Sequence, residues 1–118
     1  MGVTDILAEL VRINSVNPEW GGPGERKVAT WIRQFFEQRD ISVAETEVLL
    51  GRPNIIAKIP GRDSNRRMVF EAHMDTVSAE NMAIAPFEPE IRDGKLFGRG
   101  SVDVKAGLAA MMLSLIHI

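Results

Sequence analysis

The sequence predicts a single α/β domain, in which helices are layered on a sheet. Two helix-like patterns fill the first forty residues, β-prone runs follow at 41–50, 54–59 and 68–70, and a third helix-like run begins at Lys105. This order of helices and strands favours a sheet covered by helices. A chain of 118 residues with 45% hydrophobic composition is large enough to bury one core.

The composition argues against several classes of partner. The chain has 14 Lys and Arg against 16 Asp and Glu, a formal net charge of -2, and no basic tract. We therefore expect neither nucleic-acid nor membrane partners. Polar residues interrupt the first ten positions, so no secretory signal is predicted, and no apolar run is long enough to span a bilayer. With no cysteine in the chain, any metal must be held by His and carboxylates, and a cytoplasmic protein is expected.

The first element is predicted to be a short amphipathic helix. Thr4 or Asp5 can cap its N-terminus, and Pro18 favours an end near Asn14. Its apolar stripe consists of Ile6, Leu7, Leu10 and Val11.

A second helix follows the glycine-rich loop at 21–24. Its apolar residues recur with helical spacing, and they are Val28, Trp31, Ile32, Phe35 and Phe36. That spacing by itself predicts packing against a sheet, so we interpret Trp31 as a core residue and not as part of a ligand site.

The rest of the chain is predicted to be strands, turns and one further helix. The β-branched runs 41–50 and 54–59 are separated by a turn at 51–53. Asp93-Gly94 indicates a type I′ hairpin, because both positions of that turn need a positive φ. Residues 78–89 show no periodicity and are predicted to be a loop that could shape a cleft.

Two short segments carry residues suited to chemistry. His73 and Asp75 follow the apolar run 68–70 and should project from one face at the end of a strand. Asp103 follows Gly98-Arg99-Gly100, where glycines allow a tight turn. His73 and Asp75 alone could be a satisfied polar pair. An imidazole, a carboxylate able to orient it and a second carboxylate together indicate half of a metal site.

The basic residues near these segments are less informative. Lys105 could bind an anion, but a solvated or supporting role at a helix start is favoured. The role of Arg99 is equally undetermined by the sequence. The arginines for which only surface roles are predicted are Arg12, Arg52, Arg66 and Arg67.

These motifs resemble a family of zinc-dependent peptidases and deacylases. Residues 73–77 are similar to its His-x-Asp-x-Val signature, and residues 98–107 to its Gly-Arg-Gly-x-x-Asp-x-Lys-x-Gly signature. Segments 15–18, 52–54 and 86–87 also match. The family, the M20-type metallopeptidases, contains acetylornithine deacetylase, succinyl-diaminopimelate desuccinylase, aminoacylase and glutamate carboxypeptidase. Ala72 and Ser78 depart from its usual Gly and Pro, which leaves substrate choice open.

The resemblance implies a role for each site residue. His73 would bind one zinc and Asp103 would bridge two, with cobalt as a second metal. Asp75, the implied catalytic residue, would hydrogen-bond the imidazole and fix its tautomer. The peptide bond after Asp103 would be cis. The fold would be a partial three-layer sheet with flanking helices.

The resemblance also implies that residues 1–112 are the N-terminal part of a catalytic domain. A Glu-Glu pair with the general base, further ligands and a dimerisation domain would lie further along, so that this stretch alone would be inactive. The parent protein would be a homodimer acting on an N-acyl amino acid or a short peptide. A chain that ended naturally here would instead be a non-catalytic α/β module.

The last six residues suggest a different origin. Residues 113–118 can be back-translated as CTG TCT CTT ATA CAC ATC, which looks like a transposase end sequence used in DNA library preparation. We interpret them as a translated adapter and therefore do not expect His117 to be a metal ligand.

Overall fold

The computed structural model describes all 118 residues and confirms the α/β class. The helices are α1 (Val3–Arg12), α2 (Arg26–Glu37) and α3 (Ala106–His117), and the strands are β1 (Ser42–Leu49), β2 (Arg52–Lys58), β3 (Glu90–Arg92) and β4 (Lys95–Phe97). Short helical turns lie at Pro18–Trp20 and Ser101–Lys105. No helix combines the length and the apolar character that crossing a membrane requires.

The strands form two antiparallel hairpins. β1 pairs with β2 from Ser42 opposite Lys58 to Leu49 opposite Arg52, with one irregularity after Glu47. β3 pairs with β4 around a turn in which Asp93 and Gly94 have φ of 51° and 72°. The predicted Asp93-Gly94 hairpin is therefore confirmed, as are the strands predicted near 41–50 and 54–59.

The core lies where the three helices meet. It contains eight buried side chains: Ile6 and Leu10 from α1, Val28, Ile32, Phe35 and Phe36 from α2, and Ala109 and Met112 from α3. The inward residues of the β1–β2 hairpin, with Val43 and Ile55 among them, pack against this cluster, and so does Trp31. The helical stripes and the core role of Trp31 thus follow the prediction, because helical spacing places their side chains on one face.

The start of α1 differs from the prediction. Gly2, and neither Thr4 nor Asp5, is the capping residue, and the Asp5 carboxylate accepts a hydrogen bond from the Gly2 N–H at 2.7 Å. A carboxylate in the first turn of a helix can reach back to a free backbone N–H, so the helix begins two residues before Asp5. It ends at Arg12, close to the predicted end.

The strand predicted at 68–70 is absent. No residue of this run enters a β-ladder, and Met68 and Val69 are 81% and 80% exposed. A β-strand needs a neighbouring strand with which it exchanges backbone hydrogen bonds, and a high β propensity does not supply that neighbour. The first backbone pairing after this run is a single parallel bridge between Val16 and Thr76.

The helical core predicts unequal effects for two phenylalanines. Phe36→Ala should lower the free energy of unfolding by about 3 kcal/mol or more, since it leaves a cavity among buried side chains. Phe70→Ala, at a ring that is 44% exposed, should cost less than about 1 kcal/mol. Urea denaturation of both variants measures the difference, and equal losses would contradict the assignment of the core.

Candidate metal centre

Backbone hydrogen bonds hold residues 73–77 of the candidate centre beside residues 15–17. The Thr76 N–H donates to the Ser15 carbonyl at 3.0 Å, and the Asn17 N–H donates to the Thr76 carbonyl at 2.9 Å. Residues 15–17 therefore run beside residues 73–77, and the side chains of Asn17 and Asp75 lie next to each other.

The structure places His73 and Asp103 in direct contact. The His73 Nε2 and Asp103 Oδ1 atoms are 2.9 Å apart, although the residues are 30 positions apart in the chain. The side chains are half-exposed and exposed, respectively. The Asp103–Val104 peptide bond is cis, as the resemblance implied.

Two glycines allow the turn before Asp103 to pack closely. A Cβ at Gly98 would lie 2.3 Å from Val11 Cγ1, and a Cβ at Gly100 would lie 2.5 Å from Thr76 Cγ2. Gly100 also has φ of 80°, a conformation that other residues rarely adopt. The glycines thus seat the turn on α1 and on Thr76, and this position lets Asp103 reach His73.

Asp75 fixes the proton on the other ring nitrogen of His73. The Nδ1 atom lies 3.0 Å from the Asp75 backbone oxygen and 3.2 Å from Asp75 Oδ1. Since a carbonyl oxygen only accepts hydrogen bonds, Nδ1 must carry the proton. The lone pair of a neutral His73 is then on Nε2, the atom that faces Asp103.

The negative charges of Asp75 and Asp103 favour protonation of His73 at Nε2. Partial burial lowers the pKa of His73, but the hydrogen bond to Asp103, the hydrogen bond to the Asp75 backbone and the two negative charges outweigh it. The pKa is therefore raised above 6.5. A proton between Nε2 and Asp103 Oδ1 occupies the position where a cation could bind.

Asp75 has two further partners that the sequence did not reveal. Its Oδ2 atom accepts a hydrogen bond from Asn17 Nδ2 at 2.8 Å and lies 3.9 Å from Arg52 Nη2. Arg52 also donates from Nε to the buried carboxylate of Glu25 at 2.7 Å.

The surface role predicted for Arg52 is therefore wrong, because its guanidinium joins two carboxylates. Asn17 and Arg52 lie in segments 15–18 and 52–54, which are similar to the family. That similarity is the one signal in the sequence that indicates these two residues.

Lys105 is also placed differently from the prediction. Its side chain is 1% exposed, and Nζ donates to the carbonyls of Leu10 and Ile13 at 2.8 Å each. Of the two favoured roles, the solvated one is wrong and the supporting one agrees with the structure, because the ammonium donates to two carbonyls at the C-terminal end of α1. Burial lowers the pKa of Lys105 to about 8.

An open cleft of about 370 Å³ contains the candidate residues. It is lined by His73, Asp75 and Asp103 together with Asn17, Glu19, Trp20, Thr76 and Val77. Residues 78–89 have no helix or strand, as predicted, but they line a different hollow of about 300 Å³. This loop therefore does not shape the His73 cleft in the structure.

The donor atoms suit a divalent metal ion but form an incomplete set. An imidazole nitrogen and a carboxylate oxygen are ordinary zinc ligands, and the other ring nitrogen is held as it is in many zinc sites. No cluster of three or more His, Cys, Asp or Glu side chains able to hold a metal occurs in the structure. His73 and Asp103 are thus two ligands where a catalytic zinc normally has three protein ligands.

Comparisons with known proteins agree with the motifs. Residues 69–118 match the family described as Peptidase family M20/M25/M40. An uncharacterized metallohydrolase of Methanocaldococcus jannaschii is 36% identical over 92% of this chain and 30% of its own length. A probable succinyl-diaminopimelate desuccinylase of Staphylococcus epidermidis is 33% identical over 96% of this chain and 27% of its own length.

The comparisons confirm the resemblance to M20-type metallopeptidases. They also show that the chain spans about 30% of the length of these curated relatives.

The buried position of Lys105 predicts a pH-dependent effect on stability. Lys105→Met should lower the free energy of unfolding by about 1–3 kcal/mol at neutral pH, because the carbonyls of Leu10 and Ile13 lose the hydrogen bonds from Nζ. Between pH 8 and pH 10.5 the unfolded chain binds more protons at Lys105 than the folded chain does, since the folded pKa is the lower one. The contribution of Lys105 to stability should therefore rise with pH across that window.

Denaturant titrations of both proteins across this window measure the effect. The difference between wild type and Lys105→Met should widen as the pH rises. A difference that stays constant would contradict the burial of a charged ammonium.

Proposed function

Because the chain belongs to Peptidase family M20/M25/M40, we propose that it supplies two metal ligands, His73 and Asp103, to a hydrolase that removes the acyl group from N-acyl amino acids. The contact between His73 Nε2 and Asp103 Oδ1 carries this proposal. Two atoms that both bind cations face each other there, in a cleft open to solvent. The hydrolase is the whole protein, of which this chain is one part.

In this proposal His73 would bind one zinc ion and Asp103 would bind two, with cobalt as a functional substitute. The metal would supply Lewis acidity for the attack of water on an amide carbonyl. Asp75 keeps the proton of His73 on Nδ1 and so leaves Nε2 free to bind. A proton on His73 Nε2 would occupy the position of the metal, so zinc affinity should rise with pH.

The name of one relative supports the proposed substrate class. The protein of Staphylococcus epidermidis is a probable succinyl-diaminopimelate desuccinylase, which favours an acyl group on an amino acid as the substrate. The description of the family as a peptidase favours short peptides as the second candidate. We further propose a cytoplasmic homodimer, in which the contacts between subunits come from a part of the protein outside this chain.

Zinc should stabilise this chain through its two ligands. Added zinc should raise the melting temperature further as its free concentration increases, because a ligand that binds the folded state shifts the unfolding equilibrium. His73→Ala and Asp103→Asn should each abolish the shift, whereas His117→Ala, at the end of α3, should retain it. Differential scanning calorimetry measures all four proteins. An undiminished shift in His73→Ala would refute the assignment of the site.

The activity is tested on the whole protein. Purified enzyme should hydrolyse acetylornithine or succinyl-diaminopimelate faster than it hydrolyses dipeptides, and a chelator should abolish turnover. Preferential hydrolysis of dipeptides would instead support the peptidase. Turnover that persists after the metal has been removed, with metal content verified by mass spectrometry, would rule out the metal mechanism.

A further inference from the structure

We propose that Asn17 is a positioning residue for the metal centre: its side-chain amide holds the Asp75 carboxylate in the orientation that directs His73. This inference rests on the proposed role of His73 as a metal ligand. It adds to the centre a residue that neither binds metal nor touches the imidazole.

The orientation of the Asn17 amide follows from its two partners. Oδ1 accepts a hydrogen bond from the Glu19 N–H at 2.8 Å, and Nδ2 donates to Asp75 Oδ2 at 2.8 Å. A backbone N–H only donates and a carboxylate only accepts, so the amide cannot be turned around without losing both bonds. Asn17 therefore presents a fixed donor to Asp75.

The backbone of Asn17 is held as firmly as its side chain. Its N–H donates to the Thr76 carbonyl, and its carbonyl accepts from the N–H groups of Trp20 and Gly22. A Cβ at Gly22 would lie 2.0 Å from the Val16 carbonyl oxygen, so the loop is closely packed at this point. Asn17 is thus anchored to the same stretch of chain that carries Asp75.

The two oxygens of Asp75 have separate tasks. Oδ2 faces Asn17 and the more distant Arg52 guanidinium, while Oδ1 lies 3.2 Å from His73 Nδ1. Arg52 is in turn held by Glu25. The hydrogen bond from Asn17 to Oδ2 favours one χ1 rotamer of Asp75, and in that rotamer Oδ1 is directed at the imidazole. Arg52 supports this arrangement through its positive charge.

Asn14 provides a matched control in the same loop. Its Oδ1 atom accepts from the Val16 N–H at 3.0 Å, a bond of the same kind as that from Asn17 to Glu19. Asn17→Ala and Asn14→Ala each remove one such bond, but only Asn17→Ala removes the donor to Asp75. Asn17→Asp is the second variant, because it keeps the acceptor for Glu19 and replaces the donor to Asp75 with a negatively charged oxygen.

The first measurement tests positioning without metal. Three-bond NMR couplings of the 118-residue chain report the χ1 rotamer of Asp75. We expect one rotamer in wild type and in Asn14→Ala, and either averaged couplings or a different rotamer in Asn17→Ala and Asn17→Asp. Unchanged couplings in both Asn17 variants would overturn the proposal, whatever the outcome for metal binding. If Asn17→Ala does not fold, Asn17→Asp decides.

The second measurement tests the consequence for the metal. Asn17→Ala should weaken zinc affinity by about tenfold relative to Asn14→Ala, the lower end of the effect of residues that support metal ligands. In an Asp75→Ala background the same change should have no further effect, because Asn17 acts through Asp75. An equal loss in that background would overturn the proposal.

The two measurements separate this proposal from the proposed function. Equal zinc binding by wild type and His73→Ala would refute the metal site, while the Asp75 couplings would still decide whether Asn17 holds the carboxylate. Altered couplings together with unchanged zinc affinity would overturn the positioning role at a metal centre and leave only a structural bond.

Discussion

The ammonium group of Lys105 joins the beginning and the end of the chain. It donates hydrogen bonds to the carbonyls of Leu10 and Ile13 at the C-terminal end of α1, where the helix dipole also favours a positive charge. Lys105 immediately precedes α3, and its backbone N–H donates to the Gly100 carbonyl. The same residue therefore holds α3 against α1 and closes the turn that carries Asp103. The Arg99 N–H, which donates to the Pro86 carbonyl at 2.7 Å, gives the turn a second attachment.

The candidate centre is built from three segments of the chain that contact one another. Residues 15–17 and 73–76 are joined by backbone hydrogen bonds, and residues 98–105 pack onto both Thr76 and α1. One continuous series of polar contacts runs from Glu25 through Arg52 and Asp75 to His73 and Asp103, and Asn17 joins it at Asp75. Since positive and negative groups alternate along the series up to the imidazole, each charge has an opposite neighbour. The imidazole carries the next positive charge when it is protonated.

Local patterns predicted the local structure well. The stripe of α2 and the Asp93-Gly94 turn depend on residues a few positions apart, so a single sequence contains the information. Resemblance to a family predicts the metal-binding role of the site motifs. Spacing alone is also consistent with a satisfied polar pair of His73 and Asp75. The run 68–70 shows the limit of propensity, since a strand depends on a partner.

The remaining parts of the site depend on distant partners. Asn17 meets Asp75 at a separation of 58 residues, and Lys105 meets Leu10 at a separation of 95. Neither partner can be identified from composition or periodicity. Because the sequence shows no partner for either side chain, it predicts a surface role for Arg52 and leaves a solvated role open for Lys105, and the structure contradicts both.

The bridge between Val16 and Thr76 also bears on the order in which the chain assembles. Closing a long loop costs conformational entropy before its contacts stabilise it, whereas α2 and the β1–β2 hairpin form from neighbouring residues. Once that hairpin has packed on α2, much of the segment between Val16 and Thr76 is already ordered, and less freedom remains to be lost. We therefore expect the helices and hairpins to form first, and the contacts among Asn17, Asp75, His73 and Asp103 to be among the last steps of folding.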